Sequence, residues 1–183
     1  MNVSLVITVI GPDRAGIVST LADCGREFDA NWAESRMASL AGQFAGIVRW
    51  QVPAEKVEQM AVALRELEAS GLRILIAKGE GAPGAPERRL INLELVGHDR
   101  PGIVHEVART FSDHGVSIED LHTELTSGAW SGEQLFKATA LLSVPGALSI
   151  DGLRRALESL ANELMVDLTL NEDVIPSTSA PAV

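Results

Sequence analysis

An eight-residue word occurs twice in this chain. It reads Gly11-Pro12-Asp13-Arg14-Ala15-Gly16-Ile17-Val18 and then Gly97-His98-Asp99-Arg100-Pro101-Gly102-Ile103-Val104, with differences only at its second and fifth letters. Each copy follows an alternating apolar run and opens an amphipathic one. The interval from Gly11 to Gly97 exceeds the roughly 20–50 residues of a solenoid unit and matches a small domain. The 183 residues are therefore a tandem duplication.

Periodicity gives the same element order in both halves. Residues 3–10 are rich in β-branched side chains and predict a strand. From Ala15 to Phe28 the apolar Ile17, Leu21, Cys24 and Phe28 recur at helical spacing. Trp32, Met37 and Leu40 mark a second strand, Ala41-Gly42 a turn, and Phe44 to Val52 a third strand ended by Pro53. Residues 54–70 carry Val57, Met60, Ala61, Leu64 and Leu67 on one helical face, with Gly71 in the C-cap position. Leu72 to Ala77 is a fourth strand. The second half repeats the order, with strands at 90–96, 116–126, 134–144 and 165–171 and helices at 101–114 and 149–163. Aligning Phe44 with Phe136 lengthens the central hairpin of the second half, where Trp130 lies in a Gly/Ser-rich stretch.

The expected layout is a first domain over 1–78, a Gly/Pro-rich linker over 79–89, a second domain over 90–173 and a disordered tail over 174–183. A βαββαβ unit is the ferredoxin-like, α+β arrangement: a four-stranded antiparallel sheet with two helices on one face. Its other face and its edges need covering, which predicts a homodimer.

Charge narrows the function. With 25 acidic against 15 basic residues, the net charge of −10 repels phosphate backbones and argues against direct nucleic-acid binding. Cys24 is the sole cysteine, so an internal disulfide and a Cys-based zinc site are excluded. The first apolar run has no basic segment before it and breaks at Gly11-Pro12, too early for a signal sequence or a membrane span. A cytoplasmic protein is expected.

The repeated turn carries the chemistry. Its first Gly is expected to turn the chain off the strand. Asp13 and Asp99 are expected to cap the helix that follows, with Pro101 at an early helical position. Gly16 and Gly102 leave no side chain where first-turn N–H groups point outward and attract a carboxylate or phosphate. The neighbouring Asp can hold an ammonium group. Both features together suit an α-amino acid. A purely structural turn would be duplicated just as faithfully, so a ligand-free interaction scaffold stays open.

The βαββαβ order with Gly-x-Asp-Arg-x-Gly-Ile-Val after its first strand resembles the ACT domain, a regulatory module that binds amino acids or similar metabolites between copies. Two such copies over residues 3–172, with Gly115 to Asp120 and Ser131 to Phe136 in the second, resemble the glycine cleavage system transcriptional repressor group. The resemblance implies a non-catalytic sensor of a small amino acid, glycine being one candidate. It implies no cofactor, and action on transcription through a protein partner such as a DNA-binding regulator. Ligand contacts would come from the turn of one copy and the start of the second strand of an adjoining copy. Carried over, these are Asp13, Arg14, Ala15, Gly16 and Ile17 with Asn31, and Asp99, Arg100, Pro101, Gly102 and Ile103 with Ser117. ACT-like modules often carry Asn at the strand position, so Ser117 departs from the pattern, as Ala15 does where Pro is common.

Other chemistry has less support. No Walker Gly-Lys-Ser/Thr or nucleophile-elbow motif occurs, and no long dinucleotide-binding unit is built on a Gly-x-Gly-x-x-Gly turn. An acylphosphatase-like hydrolase shares the layout and would draw on Arg14 and Asn31, although Asp13 would repel its substrate. His98, His105, His114 and His122 show no metal-ligand spacing. Cys24 reads as a small core residue.

Overall fold

Strict alternation in the first strand, β1 (Asn2–Pro12), sends Leu5, Ile7 and Val9 to one face, where all three are buried. β1 pairs antiparallel with β3 (Gln43–Pro53) on one side and with β4 (Arg73–Lys78) on the other. β2 (Asn31–Leu40) joins the far side of β3, giving the order β2-β3-β1-β4. Helices α1 (Ile17–Glu27) and α2 (Val57–Glu66) cover one face. Their buried Ile17, Leu21, Cys24, Met60 and Leu64 meet Val48, Trp50 and Val52 of β3 in one core. Trp50 is fully buried, and Trp32 meets it edge-on with ring centroids 5.5 Å apart, an arrangement aromatic quadrupoles favour.

This computed structural model describes residues 1–79, 87–127 and 134–171. The tip of the second central hairpin with Trp130, the tail and most of the expected linker lie outside the described residues. The chain divides into two compact units, Met1–Pro83 and Gly84–Val183. The second unit runs β5 (Arg88–His98), α3 (Ile103–Asp113), β6 (Ser117–Ser127), β7 (Gln134–Pro145), α4 (Ile150–Leu164) and β8 (Val166–Asn171). Its sheet order is β6-β7-β5-β8, and Ile91, Leu93, Leu95, Phe111, Leu142, Leu153 and Leu157 form its core. Gly11 pairs with Phe44 and Gly97 with Phe136, so the two aromatic positions are equivalent as aligned.

Several boundaries moved for physical reasons. β5 begins at Arg88, inside the segment expected to be linker, because Arg88 and Arg89 ladder against Pro145 and Val144. Glu87-Arg88-Arg89 carries no apolar alternation to signal that pairing. The helix expected over 54–70 is α-helical only over Val57–Glu66, with 3-10 turns at Ala54–Lys56 and Leu67–Ser70. The Ala41-Gly42 turn is a two-residue hairpin with φ of 50° and 76°, the twist that strand pairs favour.

Gly11 and Gly97 do not turn the chain, contrary to expectation. Both lie in strand ladders and serve close approach instead. A Cβ at Gly97 would stand 2.3 Å from Cγ1 and 2.9 Å from Cβ of Val166 on β8. At Gly11 it would meet the Gly71 carbonyl oxygen at 2.9 Å. Gly97→Ala is therefore expected to destabilise the second unit by about 1–3 kcal/mol through overpacking. Urea unfolding followed by far-UV circular dichroism checks this, and an unchanged midpoint would show that β8 moves aside freely.

Candidate functional site

The residue that ends each repeated turn sets its shape. Gly16 (φ 94°, ψ −4°) and Gly102 (φ 98°, ψ −9°) are the N-caps of α1 and α3, in the left-handed region that side chains disfavour. Neither helix has a side-chain cap hydrogen bond. Asp13 and Asp99 are thus not the expected N-caps, and Pro101 precedes the cap instead of entering the helix. An αL glycine directs the chain into the helix without a capping side chain. First-turn N–H groups, which an intrahelical ladder cannot satisfy, face outward at both turns. The space around Gly16 is open, with nothing within 4 Å of an added Cβ.

Around this shared backbone the two turns differ in charge. In the first, Asp13 Oδ2 accepts from Ser39 Oγ at 2.5 Å, and its N–H donates to the Gly42 carbonyl at 2.9 Å. Arg14 donates to Ser70 Oγ at 2.8 Å, and Ser70 in turn donates to the Leu67 carbonyl. Both charged side chains therefore rest on neutral hydroxyls. The first turn of α1 holds no acidic residue. In the second turn Arg100 donates to Glu106 Oε2 at 2.7 Å. The other oxygen of Glu106 lies 3.7 Å from where a Cβ on Gly102 would stand. Thr20 N–H bonds the Gly16 carbonyl and Glu106 N–H the Gly102 carbonyl, so Thr20 is the counterpart of Glu106. Thr20 spends its hydroxyl on that same carbonyl, at 3.0 Å. One copy places a carboxylate beside its own anion-attracting helix end. The other does not.

Asn31 and Ser117 do not join these turns within a unit. Asn31 pairs with Gln51, whereas the first turn follows Pro12, which pairs with Gln43. At about 3.3 Å per strand residue, the two ends of β3 are roughly 25 Å apart. Ser117 opposite Ser143, and the turn after His98 opposite Leu135, repeat that separation. The Arg14–Asn31 pair a hydrolase would use is split in the same way. Within either unit, turn and strand start therefore stay at opposite ends of the sheet. Sequence reading missed Arg88, whose guanidinium donates to Ser143 Oγ (2.7 Å), the carbonyls of Ser143 (2.6 Å) and Gly115 (3.0 Å), and Ser117 Oγ (3.3 Å). Ser117 is thereby held by its own unit. Ile17 and Ile103 are core residues, so only their backbone N–H groups are available to a ligand.

The ACT domain family matches residues 4–74 and again residues 91–162. This chain belongs to that family. It carries two ACT domains in tandem, a fold of regulatory proteins. An unknown protein from Galdieria sulphuraria is 30% identical over 95% of this chain and 100% of its own, with a TM-score of 0.85. A candidate glycine cleavage system transcriptional repressor is 17% identical over 93% of this chain and 97% of its own, with a TM-score of 0.68. At that identity the second likeness shows a shared fold alone. Comparison with curated proteins gives no match.

Outside the turns, among the described residues, no three His, Cys, Asp or Glu side chains gather as a metal site, and no helix is long and apolar enough to cross a membrane. His114 Nδ1 lies 2.8 Å from the Thr110 carbonyl at the end of α3. Cys24 of the first ACT domain is buried, and burial, then the Glu27 carboxylate, pushes its thiol up. The nucleophile is the thiolate, so this cysteine should be inert in the folded domain. At pH 8 it is expected to resist a disulfide reagent such as DTNB and to react fully in denaturant. Fast labelling of the native protein would contradict its burial.

Proposed function

We propose that this chain is a cytoplasmic, non-catalytic regulator that holds a small amino acid at the first turn and acts on transcription through a protein partner. The carrying observation is the charge state of that turn. Gly16 leaves the N-terminus of α1 open for a carboxylate, while Asp13 and Arg14 rest on hydroxyls that neutralise neither. An amino acid would set its carboxylate against the helix N–H groups and Arg14, and its ammonium against Asp13. Asn31 of a second copy would complete the site, which makes the working form a homodimer. A ligand bound there stabilises the assembly by RT ln(1 + [L]/Kd), which is how it changes what a partner sees.

The second turn is read as closed, because Glu106 already supplies a carboxylate to Arg100. Glycine as effector and control of the glycine cleavage system are carried over from the likeness to the candidate repressor. The chain's charge of −10 supports an indirect route to DNA.

A thermal-shift screen against the twenty amino acids, followed by calorimetric titration of the one that stabilises, tests this reading. One effector per chain is expected. Arg14→Ala should weaken it about tenfold or more, as loss of a charge-assisted contact of roughly 1.5–3 kcal/mol requires. Arg100→Ala should leave the affinity nearly unchanged. Two equal sites per chain, or acetyl phosphate hydrolysis that disappears in Arg14→Ala, would overturn the reading.

A further inference from the structure

Arg26, Arg49, Arg100 and Arg109 each reach a carboxylate. Arg88 bonds only neutral oxygens among the described residues. From the start of β5 it reaches across β7 to the start of β6. Its Nε donates to Ser143 Oγ, and its Nη2 to the Ser143 and Gly115 carbonyls and to Ser117 Oγ. Nη1 takes part in none of these bonds. Among the described residues the side-chain polar atoms buried without a partner are Trp50 Nε1 and Arg100 Nε. Nη1 of the half-buried Arg88 is not one of them, so it meets solvent with its N–H groups unbonded. Ser143, 5% exposed, is the buried polar side chain that fixes the guanidinium in this pose.

The first unit shows what this corner holds when it is electrically closed. Asn2 pairs with Pro53 as Arg88 pairs with Pro145, and Asn31 with Gln51 as Ser117 with Ser143. The bonds Asp29 N–H to Arg26 O and Gly115 N–H to Ser112 O make Asp29 the counterpart of Gly115. In the first unit Asp29 forms an ion pair with Lys56, and Asn2 adds no charge. In the second, the acid has become Gly115 and the amide has become Arg88. A neutral corner has turned into one with an uncompensated cation, held rigid by its own sheet.

We propose that Arg88 and Ser117 form a binding site for a small monocarboxylate in the second unit. Nη1 takes one carboxylate oxygen. The Ser117 hydroxyl, which accepts from Nη2, still has its own hydrogen to give to the other oxygen. Nη1 and Nη2 share one carbon, so both donors lie within the span of one carboxylate. Folding has already ordered the arginine, which lowers the cost of binding. Glu87, Glu119 and Asp120 lie close in sequence, and Glu119 and Asp120 have interactions of their own. Their field disfavours a dianion such as phosphate and leaves a singly charged carboxylate as the better match. The site is independent of the first turn and does not rest on the sensing reading.

Titration of the isotopically labelled full chain with sodium acetate, followed by nuclear magnetic resonance, tests this. The Arg88 Nε–Hε signal and the Ser117 amide are expected to shift saturably, and sodium chloride at equal ionic strength should not reproduce the shifts. Phosphate should bind more weakly than acetate. Arg88→Gln should abolish saturation at Ser117. Ser117→Ala leaves the other three bonds of Arg88 in place, so it tests the site even if Arg88→Gln fails to fold, and should weaken acetate about threefold to tenfold. Identical shifts with chloride, or acetate shifts confined to Arg14 and the first turn, would overturn the proposal. So would tighter binding of phosphate, or an acetate affinity indifferent to Ser117→Ala.

Discussion

Close approach at the end of the central strand organises each domain. β1 and β5, like β3 and β7, are paired on both sides, and each must admit the last strand of its unit, along Leu5–Ile10 and Asn92–Gly97. Gly11 and Gly97 make that possible where a side chain would collide with Gly71-Leu72 or Val166. Once β4 and β8 are seated, Ile74 and Leu170 complete the cores, and the chain leaves the sheet at a fixed point. The turn that follows is therefore held by the sheet. Its left-handed glycine then aims a helix end outward.

The fold was legible because alternation and helical spacing were strong. Leu5-Ile7-Val9 and Ile17-Leu21-Cys24 each declare a buried face without help from tertiary context. What sequence hid was of three kinds. Arg88 and Arg89 form a strand by laddering with a segment more than fifty residues away, and two arginines show no apolar period. The roles of Gly11 and Gly16 were exchanged in part, since sequence marks a glycine without saying whether it relieves crowding or adopts positive φ. The partners of Asp13 and Arg14 are Ser39 and Ser70, surface hydroxyls from distant elements that no local pattern connects to the turn.

Duplication kept the backbone and let the side chains diverge. Thr20 corresponds to Glu106, Asn31 to Ser117 and Ser35 to Leu121 in the two copies, as the equivalent ladders and cap bonds establish. Each exchange moves polarity from one place to another. The first copy has polar edge positions and a turn without its own counterion, and the second has an apolar edge and a turn that supplies one.

The Arg100–Glu106 pair has a consequence for the shape of any response. On the proposed reading, a carboxylate built into the second turn leaves one effector site per chain, and a single site would saturate along a simple hyperbola. Nothing within one chain can then sharpen the dose–response curve. A threshold, if the regulator has one, must arise from how chains assemble, so its steepness would be tuned by protein concentration as well as by ligand.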